Sequence, residues 1–411
     1  MDASNSNADG RRKEPDSVLL VVVLSLLLGL QPLTTDLYLP ALPELTVQLG
    51  ASLAEGQQTL AALLLAFGVS QPLWGALSDR FGRKSVLATG LALYVMSALG
   101  CVLATSIGQL LLWRIVQGVA LGASVMTARA IVRDVYETLA AALAMSKALS
   151  GLGVLACLGP PLGGLLTWAL GWRAALGVLV VIGVITLTVV LYGLRETLPR
   201  PNAEALRWRR FAFTWREIGA HPDFWYFTLL SSASYGGVFT FLATSSYVLI
   251  DRYGLTPQDC GWVLCSTAAA FLLGTLLCRR LLRTLGIART VALGASASVL
   301  GAVGMVTLSG VDHWWAVVLP FYPYIFAHGI HMPCGQSGAV SPFPHAAGSA
   351  SALAGFVMML CVFLTGLALG ASTLTPRASM TVAISLWALL LAVLGVISWR
   401  RSTEVSAQNP G

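Results

Sequence analysis

The chain has 411 residues, of which 56% are hydrophobic and only 10% are charged, and its formal net charge is +7 at pH 7. Soluble domains are about a quarter charged, so this composition excludes a protein whose main solvent is water. A basic excess can indicate nucleic-acid binding. Here the cations lie between apolar runs, which indicates loops that orient a membrane protein and no nucleic-acid partner.

Apolar runs long enough to cross a bilayer follow one another along most of the chain. A helix needs about 20 apolar residues to span a core of roughly 30 Å, where the backbone must satisfy its own hydrogen bonds. The tenth run contains three prolines, so we expect that helix to be kinked. Counting such runs predicts twelve transmembrane helices, over 18–43, 53–77, 85–105, 108–132, 138–168, 172–195, 222–250, 258–278, 289–309, 313–340, 346–372 and 376–399.

The predicted helices divide six and six around a long polar stretch at 196–221, which contains several arginines. The first run is longer than a signal-peptide core, so we interpret it as a retained span. We therefore predict an all-α membrane protein of two six-helix bundles. Its parts are an N-terminal tail (1–17), a first bundle (18–195), a linker (196–221), a second bundle (222–399) and a C-terminal tail (400–411).

Basic residues near the ends of the predicted helices fall on one side of the membrane, and the opposite loops show little positive excess. This bias predicts that both termini are cytoplasmic and that the protein is a multi-pass protein of the plasma membrane. The residues on the basic side are Arg11, Arg12, Lys13, Arg80, Arg83, Lys84, Arg133, Arg195, Arg200, Arg207, Arg209, Arg210, Arg216, Arg279, Arg280, Arg283, Arg289, Arg400 and Arg401.

A segment between the second and third helices combines glycines with charges. One interpretation is simply a basic cytoplasmic loop. The segment, GALSDRFGRK over 75–84, resembles the signature G-x-L-x-D-R-x-G-R-[KR] of the major facilitator superfamily. The resemblance implies an inner gate, in which Asp79 would face the start of helix eleven, where the helix dipole favours a negative charge. The gate residues predicted in this way are Gly75, Asp79, Arg80, Gly82, Arg83, Lys84 and Arg133.

Two further strings resemble elements of the same superfamily. Residues 114–118 read RIVQG, which is similar to its R-x-x-Q-G element in helix four. Residues 159–164 read GPPLGG and resemble the G-P-x-x-G-G motif typical of its antiporters. Small residues let membrane helices approach closely, and proline relaxes the backbone where halves must bend. The antiporter-motif residues are Gly159, Pro160, Gly163 and Gly164.

Four further strings resemble one group within this superfamily. TTDLYLPALP at 34–43, VRDVY at 132–136, RETL at 195–198 and the segment 342–355 look like the Bcr/CflA drug exporters. The resemblance implies a proton-coupled antiporter that exports bicyclomycin, sulfonamide or phenicol compounds across the bacterial inner membrane. The alternative is an exporter of a native metabolite such as an amino acid or sugar. In either case we expect a monomer without enzymatic activity.

Asp36 is the acid that we place well within a predicted helix. An unpaired carboxylate in hydrocarbon costs a few kcal/mol, so Asp36 should face a polar cavity. A carboxyl that is neutral when desolvated and ionised when wetted is a suitable proton carrier. The alternative is a hydrated, structural Asp36 near the outer end. Arg114 is the predicted basic counterpart, and it either pairs with Asp36 or bonds carbonyls of helix one.

Other polar and aromatic residues within the predicted helices have weaker assignments. Arg129 and Lys147 lie near the cytoplasmic face, where they would snorkel. His328 and His331 either titrate or contact substrate, or are satisfied structural groups. The seven cysteines lack the spacing of a zinc site, and there is no phosphate-binding loop, so we expect no metal and no cofactor. For the substrate cavity we select Tyr38, Gln117, Tyr235 and Phe239.

Overall fold

The computed structural model describes residues 17–136, 138–198, 208–343 and 346–408, and these ranges are almost entirely helical. Most of the predicted N-terminal tail, and parts of the predicted linker and C-terminal tail, lie outside them. The α-helices are α1 (Ser17–Asp36), α2 (Leu42–Gln48), α3 (Leu53–Phe81), α4 (Arg83–Leu103), α5 (Ile107–Val135), α6 (Thr138–Leu170), α7 (Trp172–Gly193), α8 (Trp208–Gly219), α9 (Pro222–Ser246), α10 (Pro257–Thr307), α11 (Trp315–Val340), α12 (Ala347–Gly370) and α13 (Pro376–Gln408).

The described residues cross the membrane twelve times. Ten of their helical segments are long and apolar enough to span a bilayer. One of these is α10, whose 51 residues would measure about 75 Å at 1.5 Å per residue. It contains two crossings, because Gly286 (φ 72°) breaks the helix in its middle. The 26-residue α11, with three internal prolines, adds the twelfth. The predicted all-α fold with twelve transmembrane helices is confirmed.

The first crossing differs from the uninterrupted helix that we predicted. Helix α1 ends at Asp36, a 3₁₀ turn covers Leu39–Ala41, and α2 continues the crossing. Pro40 and Pro43 have no N–H group, so they cannot bond the carbonyls four residues earlier, and the helix tightens at this point. The irregular turn therefore lies directly after Asp36.

The linker contains a helix that we did not predict from the sequence, α8. Its Ile218 is buried with Phe224 and Phe343 in a small hydrophobic cluster. The ring of Trp215 stacks on Phe356 of α12, with centroids 6.3 Å apart. Helix α8 is thus packed against the second bundle. Helix α8 is too short, and contains too many Arg residues, to resemble a membrane-spanning run.

Two helix pairs join the bundles, α3 with α12 and α6 with α10. In the second pair, Gly261 faces the backbone of Pro160, and Gly164 faces the backbone of Pro257. Small residues allow such backbone contact between membrane helices. At the end of the bundles away from the linker, the Nε2 group of Gln57 also donates a hydrogen bond to the carbonyl of Ala243 at 3.2 Å. The bundles are therefore in contact at that end.

Candidate functional site

Asp36 lies where the first bundle faces the second. Its carboxylate accepts a hydrogen bond from Thr35 Oγ1 at 3.1 Å, and no ion pair to it occurs within the described residues. Its side chain is partly exposed. Gly159 of α6 makes room for it, because a Cβ atom there would lie 3.3 Å from the Asp36 Cβ. Tyr235 of α9, in the other bundle, is close enough to Asp36 for the two side chains to interact electrostatically.

The backbone around Asp36 offers hydrogen-bond acceptors that lack helical donors. Pro160 and Pro161 lie inside α6, so the carbonyls of Ala156 and Cys157 receive no N–H group from four residues onward. Pro40 leaves the Asp36 carbonyl in the same condition. A group of acceptors around an unpaired carboxylate suits a proton, a cation or a hydrogen-bond donor.

Arg114 is fully buried and does not pair with Asp36. Its Nη1 group donates to Gln117 Oε1 at 3.0 Å and to the carbonyl of Thr34 at 3.4 Å. Its guanidinium carbon lies 3.6 Å from the ring centroid of Tyr38, a cation–π geometry. Of the two alternatives, the structure therefore shows the link to a carbonyl of helix one.

The four predicted cavity residues differ in position. Tyr38 and Gln117 are fully buried around Arg114, and the hydroxyl groups of Tyr38 and Thr59 lie 2.6 Å apart. Phe239 is also buried, and its ring would lie 3.4 Å from a Cβ atom placed on Gly366 of α12. Tyr235 is partly exposed. Of these four side chains, Tyr235 is the one that reaches the space between the bundles.

Arg83 joins three helices at the linker end of the first bundle. Its guanidinium contacts Asp79 of α3 at 2.6 Å, Asp134 of α5 at 2.7 Å and Ser78 at 2.9 Å. Its side chain is only 3% exposed, so these bonds hold a buried charge. Arg133, which we selected from the same string as Asp134, is exposed. The acid, and not its basic neighbour, completes this cluster.

Glu196 is a third acidic residue at this site, and we did not predict it from the sequence. Its carboxylate accepts hydrogen bonds from the backbone N–H groups of Arg83 at 2.9 Å and Lys84 at 3.1 Å, at the N-terminus of α4. Gly82 (φ 96°) is needed here, because a Cβ atom would lie 2.6 Å from Glu196 Oε2. The sequence did indicate this residue, since Glu196 belongs to the RETL string at 195–198. Its partner is far away in sequence, and only the fold brings the two together.

The remaining gate residues have looser surroundings. The guanidinium of Arg80 lies 5.4 Å from the ring centroid of Phe81, and a Cβ atom placed on Gly75 would lie 3.7 Å from the Met126 side chain. Helix α3 runs antiparallel to α12, with Gly68 against Met359. This register directs the Asp79 end of α3 towards the first turn of α12. The proposed contact of Asp79 with that turn stays a prediction.

We expect Glu196→Gln to lower stability in a pH-dependent way. Partial burial alone raises the pKa of the Glu196 carboxyl, but the backbone N–H groups of Leu198, Arg83, Lys84 and Thr197 outweigh it, so its pKa lies below the ordinary value. The stabilisation by the charge is therefore present above about pH 4.5 and is lost as pH falls through the lower folded pKa.

At pH 7 the substitution should cost about 0.3–1 kcal/mol, because most of the Glu196 side chain remains exposed to solvent, which screens the charge. The measurement is thermal unfolding of the purified protein and the variant from pH 7 down to pH 3. The two curves should converge at the acidic end. An equal difference at every pH would contradict the role of the charge.

The antiporter-motif glycines lie at close helix contacts. Gly163 faces the backbone carbonyl of Leu37, and Gly164 faces α10 of the other bundle. Gly163→Ala should destabilise the fold by about 1–3 kcal/mol through overpacking. Gly177→Ala is the matched control, because nothing lies within 4 Å of a Cβ atom there. The measurement is thermal unfolding of both variants. Equal melting temperatures would contradict the prediction.

Known proteins match the sequence over most of its length. The profile of the Major Facilitator Superfamily matches residues 24–366. The chain is 28% identical over 357 residues to a chloramphenicol resistance protein of Pseudomonas aeruginosa, covering 85% of this chain and 82% of that protein. It is 26% identical to multidrug resistance protein D of Escherichia coli, covering 94% and 96% respectively.

A solved structure of the E. coli xylose transporter, in a partially occluded inward open conformation, has the same fold. It aligns with a TM-score of 0.72 at 13% identity, covering 93% of this chain and 97% of the transporter. The family match over most of the sequence agrees with three features of the described residues: twelve crossings, an acid between the two bundles without an ion-pair partner among them, and a charged cluster at the linker end. The chain belongs to the Major Facilitator Superfamily.

Proposed function

We propose that the protein is a proton-coupled antiporter that exports small drug-like compounds, of the bicyclomycin, sulfonamide or phenicol type, across the bacterial inner membrane. The observation that carries the proposal is Asp36, a partly exposed carboxylate between the bundles that has no cationic partner within the described residues. The names of the resistance proteins among its relatives support the substrate class.

Coupling follows from competition for one acidic site. A proton that reaches Asp36 from outside neutralises it and weakens the binding of a hydrogen-bond donor or cation, so the substrate leaves. Loss of the proton to the cytoplasm restores the acceptor. Only one of the two occupants is bound at a time, and alternating exposure of the site then moves them in opposite directions.

The cluster around Arg83 supports the opening of the site to the cytoplasm, which alternating exposure requires. Its bonds to Asp79 and Asp134 lie at the linker end, where the bundles would have to separate to admit substrate from the cytoplasm. We infer that this cluster is the inner gate, that both termini are cytoplasmic, and that the protein acts as a monomer and catalyses no chemical reaction.

The test uses purified protein in liposomes with an imposed pH gradient. Addition of chloramphenicol or bicyclomycin should move protons, and labelled compound should accumulate against its own gradient. Proton movement with an amino acid or a sugar, and not with either drug, would instead favour the metabolite exporter. Absence of any solute movement under the gradient would overturn the proposed transport function.

A further inference from the structure

Three rings from three helices form a row in the second bundle. His328 of α11 lies in the middle, with the ring centroid of Tyr235 (α9) 5.8 Å away at an interplanar angle of 30°. To its other neighbour, Phe271 (α10), the centroid distance is 5.4 Å and the angle 34°. We call Tyr235, His328 and Phe271 the ring row. These distances lie in the range of favourable aromatic contacts.

The polar atoms of His328 are only half used. Its Nδ1 atom lies 2.8 Å from Ser234 Oγ. His328 is only 5% exposed, but its Nε2 atom has no protein partner within the described residues and, unlike the Nδ1 atom of His331, keeps some accessible surface. If the serine hydroxyl donates to Nδ1, the ring proton is on Nε2 and Nε2 donates; if the hydroxyl accepts from Nδ1, Nε2 accepts. His328 therefore presents one hydrogen-bonding atom of either kind.

The ring row faces the space between the bundles. Tyr235 and Phe271 are partly exposed, and Tyr235 lies within electrostatic range of Asp36. A second stacked pair in the same bundle, Phe241 and Phe321, has its centroids 3.7 Å apart and is fully buried. That pair is core packing, whereas the ring row has faces and an imidazole nitrogen left for a ligand.

We propose that the ring row is a binding subsite for a planar aromatic group with a polar substituent. The ring of the ligand lies across the open edge of the row in contact with Tyr235 and Phe271, its substituent bonds His328 Nε2, and its remaining polar part reaches Asp36 in the other bundle. This inference rests on the proposed function, since it specifies how part of the exported compounds would be recognised. A ligand held by both bundles also links its binding to their relative position.

The experiment compares two probes that differ in aromatic character. Chloramphenicol carries a nitrophenyl ring, whereas bicyclomycin has no aromatic ring. Binding of each is measured by titration calorimetry on the purified full-length protein and on Phe271→Leu and His328→Asn. Both substitutions should raise the Kd of chloramphenicol about tenfold, the size of one lost stacking or hydrogen-bond contact. The Kd of bicyclomycin should change less than about twofold, since it makes no stacking contact.

His331→Asn is the matched control. His331 is on the same helix, three residues further on, but its Nε2 atom lies 3.3 Å from the carbonyl of Val291 and its ring is fully buried. This variant should leave both Kd values unchanged. Thermal unfolding of all variants shows whether a binding loss reflects misfolding, and Tyr235→Leu supplies a second ring-row substitution if Phe271→Leu unfolds.

The outcomes separate the two proposals. Selective loss of chloramphenicol binding in the ring-row variants supports the subsite. Equal loss of both probes, or no loss of either, with the wild-type protein binding both, overturns the subsite and leaves the exporter standing. Wild-type protein that binds neither compound overturns the drug-exporter proposal together with the subsite.

Discussion

Asp36→Asn should stop proton movement and weaken substrate binding. Asparagine has almost the same shape and keeps an acceptor oxygen, but it cannot bind and release a proton at physiological pH. In liposomes, chloramphenicol-driven proton flux should fall at least about a hundredfold, the range typical of removing an essential proton-transfer group. The Kd of chloramphenicol should rise about tenfold, because the neutral amide resembles the protonated Asp36 that releases substrate.

A suitable control is Asp312→Asn, since the side chain of Asp312 is 74% exposed and pairs with Arg252 away from the bundle interface. This variant should transport normally. If Asp36→Asn still accumulated substrate against a gradient, proton coupling would have to reside elsewhere, even though the architecture would be unaffected.

Arg83→Ala should damage both stability and transport. The substitution leaves Asp79 and Asp134 close together without their shared cation. Removing one partner of a buried ion pair costs about 3–5 kcal/mol, and we expect the lower end because the Asp79 side chain is 39% exposed. The measurements are thermal unfolding and initial transport rate in liposomes, and both should fall.

Two further variants sharpen this test. Arg280→Ala removes an exposed cation of α10 outside this cluster, and it should have little effect on either measurement. Combining Arg83→Ala with Asp79→Asn and Asp134→Asn removes the uncompensated charges, so stability should partly recover whereas transport should not. Equal behaviour of Arg83→Ala and Arg280→Ala would contradict the assignment of Arg83 to the gate.

Hydropathy predicted the fold because the bilayer imposes a length on each apolar run. It could not predict the turn after Asp36, which depends on where Pro40 and Pro43 remove hydrogen bonds. It also missed α8, whose amphipathic sequence is too short and too charged to resemble a span. Local strings and helix length are thus readable from sequence, and interruptions of a helix are much less so.

The sequence predicted which residues belong to the candidate site better than it predicted which of them contact each other. The motif strings contained Asp36, Arg114 and Arg83, but pairing depends on neighbours that are distant in sequence. Asp134 bonds Arg83 where we had selected Arg133, and Arg114 bonds a carbonyl where Asp36 was the other candidate. Aromatic residue type alone could not distinguish a buried Phe239 from a partly exposed Tyr235.

The glycine contacts between α6 and α10 have a consequence for how the protein changes state. Where Gly261 meets Pro160 and Gly164 meets Pro257, main chain touches main chain. Few side-chain rotamers have to rearrange when one helix rolls on the other at such a point. The joint between α6 and α10 can therefore act as a pivot on which the two bundles change their relative position.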